Sequence, residues 1–172
     1  MSLKELTADK HKAAESTKFM QSVFDGTITQ DTWADWTLQK TLIYSAIEDR
    51  AKMAGLLDDM PDLERTHKLL TDYSVMTGDK VPHDFKYSTV MYKQYILALP
   101  ADKILAHLYT WHMGDLFGGQ MIKRVVKAPH SSLEFIDAPG LISTIRTKLS
   151  DDMAPEVRTA FDWAIKILES YE

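Results

Sequence analysis

The chain contains no cysteine. That excludes disulfides, thiolate-bound metal centres, iron–sulfur clusters and any cysteine nucleophile, and it fits a reducing compartment, so a cytoplasmic protein is expected. Long apolar runs are also missing. None approaches the roughly 20 residues of a membrane span, and no signal-peptide pattern opens the sequence. Positive charge is in deficit: 20 Lys and Arg face 25 Asp and Glu, for a formal charge of -5. Bulk attraction to nucleic acid is therefore not expected. No segment alternates with period two, no internal repeat is visible, and nothing is low in complexity.

What remains is 172 residues, 45% of them apolar, enough for a core; one domain over 1–172 is expected. The apolar residues recur at helical spacing. This predicts helices over residues 6–24, 29–53, 63–76, 87–99, 101–127, 142–149 and 155–170, with Pro155 in a first helical turn. Turns are expected at Asp25-Gly26, over 58–62, and in a loop containing Gly78 and Pro82. An irregular stretch is expected over 129–139. The fold class that follows is all-α.

One stretch organises the rest: AHLYTWHMGDLFGGQMIKRVVK, residues 106–127. It is apolar with helical period, yet Gly114, Gly118 and Gly119 sit inside it, each costing about 1 kcal/mol against alanine. Glycines there suit a helix that bends, or a backbone that must touch a flat ligand. Gly114 and Gly118 share a face, with the carboxylate of Asp115 beside them. Near the N-terminus, Lys4, His11, Glu15 and Lys18 form a second stripe at helical offsets. Such a stripe can offer an imidazole to iron, a carboxylate to orient it, and a lysine to an anionic group; Lys18 reads equally as surface charge.

These residues carry a resemblance. Tyr109-Thr110, Gly114-Asp115-Leu116, Gly118-Gly119-Gln120 and Lys123 resemble the distal-helix signature of the haem oxygenases. His11-Lys12-Ala13-Ala14-Glu15 with Phe19-Met20 resembles the family's proximal segment. Weaker matches lie over residues 43–48 and 153–158.

The resemblance implies a haem oxygenase fold, with haem b clamped between the first helix and a glycine-kinked distal helix. It implies His11 as the axial iron ligand, oriented by Glu15. It implies that Asp115 does not touch iron but holds water toward bound dioxygen, with Tyr44 and Tyr95 extending the polar network. Gly114, Gly118 and Gly119 would press backbone against the porphyrin and direct cleavage, to the alpha bridge by analogy. Lys4, Tyr109 and Arg146 would hold propionates, with Lys148 the alternate to Arg146. The implied reaction turns haem, dioxygen and external electrons into biliverdin, carbon monoxide and ferrous iron. The basic cluster Lys123, Arg124 and Lys127 reads either as a solvated helix end or as a docking patch for an acidic donor such as ferredoxin or a flavoprotein. Membrane-bound relatives carry a C-terminal anchor; a sequence ending at Glu172 resembles the soluble type.

Three departures bear on this. The family often has arginine and tyrosine where this chain has Trp111 and His112, and serine where it has Phe117. A weaker distal network, a second candidate iron ligand at His112 and a narrower pocket are the expected consequences. Competing readings are a haem carrier without turnover, which would need His11 but not Asp115, and a di-iron carboxylate protein. The latter typically uses two Glu-x-x-His pairs, whereas one, Glu64 with His67, is present.

Overall fold

The computed structural model describes residues 1–80 and 84–172; the expected turn at Pro82 falls outside them. Among the described residues there are ten α-helices and no strand. They are α1 (Leu3–Leu6), α2 (Ala8–Glu15), α3 (Lys18–Phe24), α4 (Gln30–Met53), α5 (Thr66–Thr77), α6 (Tyr87–Ala98), α7 (Ile104–Phe117), α8 (Gly119–Val125), α9 (Ala138–Lys148) and α10 (Ala154–Glu169).

The longest, α4, runs through the middle. Thr29 caps its start by accepting from the Thr32 N–H. It packs against α5, α6 and α7. Fourteen of its residues are buried, around its whole circumference, so it lacks the single apolar stripe of a surface helix. The main core joins Phe19, Trp36, Ile43, Ile47, Tyr92, Ile96, Leu108, Trp111 and Ile167. In contact terms α7 lies between α4 and α10, and α10 also carries α2, α3 and α6.

Two expectations change. The first predicted helix, 6–24, is three helices. Thr7 turns its hydroxyl back to the Leu3 carbonyl at 2.9 Å, and Thr17 adopts extended backbone to cap α3 through the Met20 N–H. Threonine competes with the backbone for such bonds, which apolar periodicity does not register. The predicted helix 101–127 is likewise a 3₁₀ turn at Ala101–Lys103, then α7, then α8. At the junction the Gly118 N–H is shared between the carbonyls of Gly114 and Asp115, while the Gly118 carbonyl receives both Met121 and Ile122. This mixed geometry interrupts the regular helix at Gly118. Smaller shifts are at α5, preceded by a 3₁₀ turn at Pro61–Leu63, and α9, which begins at Ala138 behind the cap Asp137.

No described helix is long and apolar enough to cross a membrane.

Candidate functional site

Asp115 projects from α7 toward α4 and is 6% exposed. Two residues of α4, one turn apart, grip it. The Lys40 ammonium donates to Oδ1 at 3.0 Å, and the Tyr44 hydroxyl donates to Oδ2 at 2.7 Å. The Tyr44 hydroxyl also lies 3.0 Å from the Trp111 carbonyl. Burial first, then the Asp115 charge, pushes the Tyr44 phenol well above its ordinary range, so it stays a proton donor. A buried carboxylate needs such partners.

Lys40 was missed by the sequence reading. A weaker distal network was expected for want of an arginine at position 111; the structure places a cation from another helix, Lys40, on Asp115. The available signal was Trp36, Lys40 and Tyr44 at offsets of four, a charge inside an apolar helical face.

The other side of this turn is open. Gly114 is exposed, and a side chain there would meet no atom within 4 Å apart from its own helix. Phe117 and Met121 are 53% and 49% exposed. Gly114, Phe117, Gly118 and Met121 fall at offsets of three, four and seven. They make an apolar, solvent-facing strip where an ordinary helix would be buried. The three glycines divide their roles. Gly114 leaves open space and Gly118 makes the bend. Gly119, expected to contact the ligand, is instead buried, and a Cβ there would come within 3.1 Å of Leu133. Its missing side chain serves packing.

His11 sits on α2, a helix with no buried residue. Two ion pairs tie α2 to α10, Asp9 with Arg158 at 2.6 Å and Lys10 with Asp162 at 2.5 Å. The His11 ring packs edge-on against Phe161 and its side chain is 63% exposed. Its Nδ1 lies 2.9 Å from Glu15 Oε1, as the four-residue spacing predicted. With Nδ1–H held by the carboxylate, Nε2 is the nitrogen with a lone pair. The residues therefore fit a haem: one imidazole nitrogen is free of a partner on an exposed side chain, and an apolar, solvent-facing strip with open space at Gly114 begins on the helix that carries the acid.

Other expected residues sort as follows. Tyr95 does not join Asp115; its hydroxyl donates to Glu156 at 2.6 Å. Burial first, then Glu156, raises it to about 12. Glu156 belongs to a separate buried chain of hydrogen bonds. The Trp111 indole N–H donates to Tyr92, and the Tyr92 hydroxyl lies 2.6 Å from His107 Nδ1. His107 Nε2 then lies 3.0 Å from Glu156. His112 is fully buried, stacked on Tyr44 at 4.4 Å, with Nε2 2.8 Å from Glu48. Glu48 also accepts from the Arg65 and Thr66 backbone N–H groups at the start of α5. Burial would raise the Glu48 carboxyl, but these partners outweigh it and the net shift is downward. His112 is thereby engaged as a bridge between α7 and α4.

At the rim, the Arg146 guanidinium lies 5.7 Å from the Phe117 ring centroid. Burial pushes the Tyr109 phenol up, with the Arg146 charge opposing. The alternate, Lys148, is occupied by Asp59 at 2.9 Å. Lys4 is exposed on α1. Arg124 and Lys127 are exposed and Lys123 half-buried; among the described residues none of the three makes an ion pair.

Comparison with known proteins bears on the fold and the family. Residues 1–148 match the family model described as "Heme oxygenase". A heme oxygenase 2 of Oryctolagus cuniculus is 31% identical over 137 residues, covering 73% of this chain but 44% of the relative, so the chain spans less than half of that protein's length. A heme oxygenase 1 of Homo sapiens is 27% identical over 203 residues, covering 99% of this chain and 70% of the relative. The solved structure of a heme oxygenase from Leptospira interrogans superposes with a TM-score of 0.88 at 26% identity, over 99% of this chain and 100% of the other. A cyanobacterial heme oxygenase-1 from Synechocystis, solved in complex with heme, has the same fold at a TM-score of 0.87 and 21% identity, over 99% and 90%. The matching family model spans most of the sequence and the fold agrees end to end: this chain belongs to the heme oxygenase family.

Proposed function

We propose that this chain cleaves haem b to biliverdin, carbon monoxide and ferrous iron, at the alpha bridge, using dioxygen and electrons from an external donor. The observation that carries the reading is Asp115: a buried carboxylate held on both oxygens, one residue from a glycine whose outer side is open. A protein that only stored haem would need the histidine but not this acid.

Haem supplies both the iron that binds dioxygen and the porphyrin that is cut. The protein's residues do the rest. His11 binds iron through Nε2, and Glu15, holding Nδ1–H, fixes ring orientation and raises its basicity. Arg146, Tyr109 and Lys4 would hold the propionates. Gly114 and Gly118 would let backbone approach a bound porphyrin and so bias which bridge carbon is cut. Asp115 accepts hydrogen bonds and holds water, with Tyr44 fixing the carboxylate from behind. Tyr95 has no part in this network, since its proton goes to Glu156.

The test is optical. Haemin added to the purified protein should give a one-to-one complex with a Soret band, and ascorbate in air should bleach it into a biliverdin spectrum. His11→Ala should lose the histidine-bound spectrum, with added imidazole restoring it. A Soret band that persists under reductant and oxygen reduces the protein to a haem carrier.

A further inference from the structure

The reading above leaves Lys40 without a role. Its side chain is 10% exposed, on a central helix, with Asp115 and the Tyr44 ring as its partners. Lysine is seldom buried unless paired, and a buried ion pair is a poor source of stability. Taking two charges out of water costs about as much as their attraction returns, and an apolar pair of equal size commonly does as well. A chain that only needed to join α4 to α7 had cheaper means at this position. The geometry is also specific. Lys40 and Tyr44 lie one turn apart on α4, and the ammonium is 5.1 Å from the Tyr44 ring centroid. Each takes a different oxygen of Asp115. A carboxylate held by two donors can neither rotate about its terminal bond nor present a proton; its remaining lone pairs only accept.

We propose that Lys40 is the positioning residue of the distal acid: an ammonium supplied by α4 that locks Asp115 as an oriented acceptor, so that water held on the Gly114 side donates one hydrogen bond to the carboxylate and turns its other proton toward the haem. Asp115 then acts through that water and does not itself deliver a proton. Lys40 touches neither haem nor dioxygen. The inference rests on the haem oxygenase reading of the site.

The test compares Lys40→Met, Lys40→Arg, Asp115→Asn and the double variant Lys40→Met/Asp115→Asn. Four measurements are made on each: urea unfolding without haem, haemin affinity, the C–O stretch of the ferrous carbon monoxide complex, and biliverdin formed per haem consumed against guaiacol oxidised after peroxide addition. Lys40→Met should bind haemin within about twofold of wild type, because His11 is on another helix. Its C–O stretch should rise, as distal hydrogen bonding weakens. Its biliverdin yield should fall several-fold while guaiacol oxidation increases, as in Asp115→Asn. Lys40→Arg should recover at least half the yield. The double variant removes both buried charges, so its unfolding midpoint should exceed that of Lys40→Met, and its products should match those of Asp115→Asn alone. If Lys40→Met fails to fold, the double variant against Asp115→Asn decides the matter, since additional loss would mean that Lys40 acts elsewhere. A lysine with a structural role alone would lower the unfolding midpoint and leave the C–O stretch and product ratio at wild-type values; that outcome overturns the proposal. Absence of biliverdin from the wild type would instead overturn the functional reading, whatever the variants do.

Discussion

His107 is fully buried, between a phenol and a carboxylate. The Tyr92 oxygen accepts from Trp111, so its own proton goes to Nδ1, and the neutral ring donates Nε2–H to Glu156. Burial, the largest influence, lowers the His107 pKa below its ordinary 6.5, against the pull of Glu156. The unfolded chain therefore binds a proton that the folded one refuses, and stability rises with pH through that window. The contribution is complete above about pH 6.5 and is lost as pH falls from there through the folded value, with a slope of at most about 1.4 kcal/mol per pH unit. Glu48 and Glu156, both held below 4.5, add losses of the same sign at lower pH. Urea unfolding between pH 7.5 and 5 should show the decline, and His107→Gln should flatten its upper part; an unchanged slope in that variant would assign the decline elsewhere. Single residues were unevenly legible in the sequence. The His11–Glu15 pair follows from helical spacing alone. The Lys40–Asp115 and His112–Glu48 pairs join positions 75 and 64 residues apart, and no local pattern reports such a pairing. Tyr95 was misplaced for the same reason: spacing puts it on a helix but does not say which acid its hydroxyl finds.

At the scale of elements, α4, α6 and α10 were legible because their helical periods run long between a threonine cap or prolines, whereas α7 was visible only within the longer stretch 101–127. The α1–α3 region was not legible. Its breaks depend on single threonine hydroxyls, each worth about 1 kcal/mol, and these override a weak periodicity. The glycines of α7 and α8 were visible as a cluster, but which one bends, which opens and which packs is a question of neighbours. The division gives a prediction. Gly114 is inside α7 with open space beyond it, so Gly114→Ala meets no steric obstacle and should gain up to about 1 kcal/mol of helix propensity. The haem-free protein should melt a few degrees higher. Haemin affinity should fall, or the biliverdin isomer ratio shift, because the new methyl stands on the strip where backbone is expected to meet porphyrin. Gly119→Ala should do the reverse, loosening the Leu133 contact and lowering the melting temperature with little change in isomer ratio. Equal effects from the two alanines would show that the strip containing Gly114 is not the porphyrin face.

Across the whole molecule, the charge distribution bears on what the proposed reaction would take from outside, the supply of electrons. The formal charge is -5, yet α8 and the residue pair beyond it carry Lys123, Arg124 and Lys127 with no acidic partner among the described residues. Lys123 is eight residues along the chain from Asp115, roughly 12 Å at helical rise. A donor docked on this cluster would therefore lie close to the helix proposed to meet haem. A helix end is a favourable place for cations in any protein, so position alone does not establish docking. Kinetics distinguishes the two, since exposed charges act chiefly on encounter rate and are screened over about 8 Å at physiological salt. Reversing all three to Glu should slow turnover driven by an acidic donor such as ferredoxin by about tenfold or more at low salt. Added salt slows the wild type toward the rate of the variant, whose own salt dependence should be flat or reversed in sign. Ascorbate is small and needs no docked orientation, so turnover driven by it should change less than twofold, with haemin affinity unchanged. A variant slowed equally with both donors would place these cations in the haem site or in the fold, and the docking surface would have to be sought on another face.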